Sequence, residues 1–319
     1  MRSCTRVHLS LAGVGAGALL LWLVTHEALA GIIGPTDDRF ELSKVPGLKD
    51  IGFDREDFAQ AMACTGAIVC TIKGPKATMV SSGSAASIFS ADRIVTAAHV
   101  FYNPKTRQRH PSLGSCYFRN YSNRRPIPIV VTATFEDQLY ANDPSKNRER
   151  DWAVVRLRSA IPGCKPYDGD PSGDVLWPGT ELLVISHLHE DLTKKFSGRE
   201  PIGQRCTVRN SLPGRLGGLP IYLTDCDAER GGSGSIGLIR RSGKWIPKAL
   251  MVVTKSGVNY VEFDVSRSHF TGFLAIELDF LHAIGIEQQR RQSPAPTRPV
   301  ALPPAVDVDD QSRASATPP

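Results

Sequence analysis

"TDCDAERGGSGSIGLI", residues Thr224 to Ile239, sets one serine, Ser233, behind two glycines and six residues after Asp227. Runs of Gly and Ser are most often turns or linkers, because glycine accepts backbone shapes that other residues resist. A serine hydroxyl becomes a nucleophile only when a base lies within hydrogen-bond reach and a third group orients that base. Whether Ser233 is more than a turn residue therefore depends on what the rest of the chain supplies.

Two earlier stretches supply candidates. His99 ends "RIVTAAHV", a β-branched run that closes in small residues. Ala97 and Ala98 let the chain turn tightly there and leave an imidazole facing a cleft. Asp151 opens "DWAVVRL", a polar residue at the head of an apolar strand, where a carboxylate can sit at a cleft edge. Gly231 can adopt a backbone shape that points its N–H inward beside that of Ser233, which would form an oxyanion hole. Taken singly, each piece is weak: an Asp heading a strand is usually a turn or cap residue. The order His, Asp, Ser sharpens the case, since subtilisins and α/β-hydrolases use other orders. An α/β-hydrolase elbow needs G-x-S-x-G, and Ser235 stands where its last glycine belongs.

The surrounding rhythm is β. Short runs such as "GAIVCTI", "IPIVVTATF", "ELLVISH", "IYLTD", "SIGLIR", "KALMVVT" and "NYVEFDV" are punctuated by Gly, Pro, Asn and Asp. This predicts an all-β barrel or sandwich. One run, "FLAIELDFLHAIGI", has helical spacing, with Leu278, Phe280, Leu281 and Ile284 near one face.

The ends and the cysteines set the context. Residues 1–30 read as a signal peptide: Arg2 and Arg6, an apolar stretch from Leu9 to Val24, and Ala28 and Ala30 before Gly31. No other run is long or apolar enough to span a bilayer, so no membrane association is expected after signal cleavage. Six of the seven cysteines follow Gly31: Cys64, Cys70, Cys116, Cys164, Cys206 and Cys226. An even number in an exported chain suggests up to three disulfides, and their spacing is not that of a zinc site. Cys206–Cys226 is the expected pair, because both lie in strand-like runs approaching Ser233. Secretion to the periplasm or the medium follows as the expected location. Residues 288–319, rich in Pro, Ser, Ala and charge, should be disordered. The formal charge of +6 gathers in "PKTRQRH" and "RNYSNRRP". These read as solvated loops, and no nucleic-acid partner is expected, because no aromatic–basic motif accompanies them. "SHLHED" carries His187 and His189, two residues apart. It reads as a surface loop in preference to a metal pair. The carboxylates of "YDGDPSGD" read as a solvated turn.

Together, "VTAAH", "DWAVVRL" and "CDAERGGSGS" resemble the three motifs of the chymotrypsin-like serine proteases, most closely the secreted bacterial branch that includes the glutamyl endopeptidases. "IIGPTDDR", Ile32 to Arg39, is similar to the segment near the mature start of that branch. The resemblance spans about Ile32 to Ile286 and implies two antiparallel β-barrels with a C-terminal helix. Residues 31–163 would carry the N-terminal segment and first barrel, and residues 164–287 the second barrel and helix. It implies a serine endopeptidase acting on protein or peptide substrates as a monomer, with His99 as base, Asp151 as its orienter and Ser233 as nucleophile. Gly231 and Ser233 would be the oxyanion donors, and no metal or cofactor is required. The alternatives are a catalytically inactive protease-fold binding protein and an esterase using the same triad. Departures from the family are visible. Gly232 replaces the Asp that pairs with a new amino terminus in trypsin-like enzymes. "ALMVVTKSG" lacks the His that binds an acidic side chain in the glutamyl branch, and Ala228 replaces a Thr. Asp227 is the candidate specificity residue, at the offset that selects Arg or Lys in trypsin, or else a structural Asp beside Cys226.

Overall fold

The computed structural model describes residues 31–44, 48–73, 78–101, 115–122, 125–130, 148–169, 175–187, 200–213, 219–229, 231–254 and 260–276. The expected signal segment, the expected helix beyond Ile276 and the expected disordered tail lie outside these residues. Fourteen elements carry the fold: β1 (Phe40–Glu41), α1 (Arg55–Cys64), β2 (Thr65–Lys73), β3 (Thr78–Ala86), β4 (Arg93–Thr96), β5 (Cys116–Asn120), β6 (Ile127–Val130), β7 (Ala153–Leu157), β8 (Glu181–Ser186), β9 (Ile202–Leu212), β10 (Ile221–Thr224), β11 (Ile236–Arg241), β12 (Lys244–Thr254) and β13 (Thr271–Ala275).

The alternating burial of β5 and β7 (buried at Cys116, Phe118 and Asn120, and at Ala153, Val155 and Leu157) gives each strand one inward face. Six such strands close an antiparallel barrel in the order β2–β3–β4–β7–β6–β5. The second barrel runs β9–β10–β13–β12–β11–β8 and closes through β8–β9, with β1 added beside β9. The protein is therefore all-β, with two six-strand antiparallel barrels, as its sequence predicts. Closure leaves few edges for other chains to pair with.

In the second barrel β8, β10 and β13 are buried on both faces, and successive residues serve different neighbours. Leu182 and Val184 join a cluster around Tyr222 and Phe273. Leu183 and Ile185 join the larger cluster that continues into the first barrel through Ile68, Phe118 and Val155. Continuous apolar runs such as Ile221–Thr224 and Thr271–Ala275 follow from this two-sided burial.

Two sequence expectations are corrected. Within "NYVEFDV" the described residues 260–265 form no strand. Tyr260 has φ +60° and is exposed, and Asp264 accepts hydrogen bonds from Ser266 and Arg267 to make a turn, leaving only isolated bridges. The helical reading of "FLAIELDFLHAIGI" is corrected at Phe273–Ala275, which belong to β13. Short apolar runs fit either period, and pairing with β10 and β12 decides here. Conversely, α1 was not foreseen. Its start is written in the sequence as a capping box: Asp54 accepts from the Glu56 and Asp57 amides while the Asp57 carboxylate accepts from the Asp54 amide.

Three disulfides join Cys64 to Cys164, Cys70 to Cys116 and Cys206 to Cys226. The last is the expected pair. Cys70 and Cys116 are direct cross-strand partners on β2 and β5, and Cys64–Cys164 ties the end of α1 to the segment after the first barrel.

Candidate active site

The antiparallel pairing of β4 and β7 sets Thr96 opposite Ala153. His99, three residues past that pair, and Asp151, two residues before it, therefore emerge at the same end of the first barrel. Ala97 and Ala98 are fully buried, so the chain turns within a 3-10 turn at Ala98–Phe101 that leaves His99 partly exposed. Asp151 Oδ2 meets His99 Nδ1 at 2.7 Å, and Asp151 Oδ1 accepts the His99 backbone N–H at 2.9 Å. A carboxylate only accepts, so Nδ1 carries the ring proton and Nε2 is left to accept. The Ser233 hydroxyl lies 2.7 Å from Nε2. Burial works against the charged imidazolium, but the Asp151 carboxylate outweighs it and holds the His99 pKa above its ordinary value.

Ser233 reaches this position from the second barrel, on the turn between β10 and β11. The turn rests directly on β3: Ser84 N–H donates to the Ser233 carbonyl at 2.7 Å. A Cβ on Gly234, whose φ is +87°, would stand 2.1 Å from the Ser84 carbonyl oxygen. Only glycine fits there. Gly231 has φ +93°, in the left-handed region that favours glycine. Gly232 N–H donates to the Glu229 carbonyl and Ser235 N–H to the Gly232 carbonyl, both at 2.9 Å. The Gly231 and Ser233 N–H groups have no acceptor among the described residues. They are thus left available, on adjacent sides of one peptide, next to the Ser233 hydroxyl.

Asp227 lines a small cleft with Arg39, Ser186, Gln204 and Glu229 but is itself turned inward. It is 3% exposed, and its Oδ1 accepts the Ile33 backbone N–H at 2.7 Å. Its Oδ2 has no hydrogen-bond partner among the described residues. Burial pushes the carboxyl up to about 7, against the pull of the Ile33 bond and of Arg39 nearby. Ala228 pairs its backbone with Gly31 in both directions, and buried Arg39 bridges Asp37 and Glu229. The segment from Gly31 to Glu41 is thus a strap along the chain leading into the Ser233 turn. His189 lies outside the described residues.

The surface-loop reading of "SHLHED" is corrected at His187, which is 2% exposed. Its ring stacks on Tyr121 at 4.6 Å, and Nε2 lies 3.0 Å from Thr65 Oγ1. That hydroxyl spends its proton on the Ala61 carbonyl at 2.7 Å, so His187 Nε2 is the donor. Burial and the nearby Arg119 charge push its pKa down to about 3. Ser84 has no sequence signal beyond the small-residue run "SSGSAA", where the Ser233 turn approaches β3 closely.

Neither a protein-family model nor a curated protein matches the sequence. Solved structures do match in shape. A Glu endopeptidase superposes with TM-score 0.51 at 15% identity, over 81% of this chain and 100% of its own. The fold is that of the chymotrypsin-like serine proteases. The active form of the Rv3671c protease from M. tuberculosis (TM-score 0.47, 15% identity, 86% of this chain and 95% of its own) is more distant in shape. So is the thermostable serine protease AL20 from an extremophilic microorganism (0.47, 12%, 72% and 98%). In this chymotrypsin-like frame the described Asp151, His99 and Ser233 side chains meet where one barrel faces the other. No helix among the described residues is long and apolar enough to cross a membrane.

Proposed function

We propose that the chain is an exported serine endopeptidase. The observation that carries this reading is the unbroken line from Asp151 through His99 to Ser233, with two contacts of 2.7 Å. His99 Nε2 takes the Ser233 proton as Oγ attacks the scissile carbonyl carbon. The Asp151 carboxylate holds the imidazole in the required tautomer and stabilises the imidazolium. The carbonyl oxygen, now an oxyanion, accepts from the Gly231 and Ser233 N–H groups. His99 then protonates the leaving amine, the C–N bond breaks and an acyl-enzyme remains. Water, deprotonated by His99, attacks the ester, and Ser233 recovers its proton as the acid product leaves.

Three disulfides support export to an oxidising compartment, because such bonds persist there and are rare in the cytosol. The substrate is a protein or peptide. The buried Asp227, turned to Ile33, gives no support to selection of basic side chains by that carboxylate.

The test is labelling of the purified mature protein with a fluorophosphonate probe, beside Ser233→Ala and His99→Ala. Labelling that needs both side chains, together with cleavage of a peptide library, is the expected result. A folded, oxidised protein that neither labels nor cleaves would leave a protease-fold binding protein. Cleavage of esters alone would make it an esterase.

A further inference from the structure

Ser84 is fully buried on β3 of the first barrel, yet its bonds lead to the Ser233 turn of the second. Its hydroxyl oxygen lies 2.8 Å from the Gly231 carbonyl, 2.8 Å from the His187 amide nitrogen and 3.5 Å from the His187 carbonyl. A hydroxyl has one proton. The shorter contact decides: Ser84 Oγ–H donates to Gly231 and accepts from His187 N–H. Its backbone is also committed, the N–H to the Ser233 carbonyl and the carbonyl to Thr96 Oγ1–H at 2.7 Å.

The Gly231 carbonyl belongs to the 231–232 peptide, and that peptide is the spacer between the two N–H groups assigned above to the oxyanion. Its N–H end is held by the Glu229 carbonyl. Its C=O end is held by Ser84 Oγ. Both flanking residues are glycines, so no Cβ resists a swing of this plane. Hydrogen bonds at its two ends are what fix this plane between the Gly231 and Ser233 N–H groups.

We propose that Ser84 is a positioning residue for the oxyanion site, acting across the barrel interface through the Gly231 carbonyl. This rests on the hydrolase reading above. Ser84 touches neither His99 nor the Ser233 hydroxyl among these bonds, so it separates from proton transfer in its effects. His187 N–H supplies the other half of the anchor, with its ring wedged neutral between Tyr121 and Thr65.

The experiment compares Ser84→Ala with the isosteric pair Ser84→Thr and Ser84→Val, which differ by one hydroxyl and guard against a misfolded Ala variant. Peptide cleavage is read as kcat and KM across pH, with inhibition by a peptidyl trifluoromethyl ketone, whose hemiketal oxygen fills the oxyanion site. Expected is a fall in kcat of roughly 10- to 100-fold for Ala, and for Val relative to Thr. KM and the pH midpoint should stay unchanged, and the ketone should weaken by the same factor. Equal kcat in Thr and Val, or ketone binding untouched while kcat falls, would overturn the proposal with the hydrolase reading intact. A wild-type protein inert to both substrate and fluorophosphonate would remove that reading and this proposal with it.

Discussion

Asp151 grips His99 at two points, the ring Nδ1 at 2.7 Å through Oδ2 and the His99 backbone N–H at 2.9 Å through Oδ1. One carboxylate thus fixes both the loop that carries the imidazole and the tautomer of the ring. Asp151→Asn offers an amide that can keep the backbone contact but presents the wrong partner to Nδ1. Cleavage should fall by about 10⁴-fold in kcat with the fold retained. Peptide hydrolysis and thermal melting on the same preparation check both halves.

The same contact sets the pH dependence. Neutral His99 is the base, and the Asp151 charge raises its pKa over the opposing effect of burial. Activity should climb with a midpoint above the ordinary value of 6.5, carried by one ionisation. A kcat/KM profile with its midpoint at or below that value would contradict this electrostatic assignment.

Gly234 and Gly179 both have positive φ, yet they differ in surroundings. At Gly234 a Cβ meets the Ser84 carbonyl oxygen at 2.1 Å and the Ala97 nitrogen at 3.0 Å, backbone atoms that cannot step aside. At Gly179 nothing lies within 4 Å. Gly179→Ala should cost about 1–2 kcal/mol through its left-handed backbone alone. Gly234→Ala should cost more and abolish fluorophosphonate labelling by lifting Ser233 off β3. Denaturant melts and labelling of the two variants, side by side, test this.

Asp227 carries a stability signature. Folded, it holds its proton up to about pH 7, whereas a free carboxyl of this kind releases it near 3.8. The folded state therefore binds more protons between these values, and this residue's contribution to stability falls as pH rises through that window. Asp227→Asn retains an oxygen for the Ile33 N–H and has nothing to ionise. The variant should gain on wild type as pH rises from 4 to 7 and run parallel to it below. Melts across this range decide it; parallel curves throughout would show that folding leaves the proton affinity of this carboxyl unchanged.

Removing Cys64–Cys164 as a double Ala variant should cost more than removing Cys206–Cys226. In the chain-entropy account the former closes a separation of 100 residues and the latter 20. The costs are about 4–5 and about 3 kcal/mol respectively. Urea unfolding of the two variants orders them.

Much of this molecule is local information. Alternation within strands, two alanines before His99, an Asp at the head of β7 and glycines around Ser233 are short-range requirements, so they can be seen residue by residue. The capping box of α1 was equally local. The strand-or-helix identity of Phe273–Ala275 was not, because a run buried on both faces has no period to read. Ser84 and His187 were beyond reach for a related reason. Each matters through a partner about a hundred or more residues away, on the other barrel, and a lone Ser among small residues or a His after a strand looks like surface until that barrel packs on it. Asp227 follows the same logic: its offset from Ser233 fixed where the residue stands, but the Ile33 amide, from the far end of the chain, decided which way the carboxylate turned. Sequence by itself determined the barrels and the order of the three site residues. Tertiary packing decided what each buried polar atom is bonded to, since a hydrogen bond across an interface needs both surfaces present.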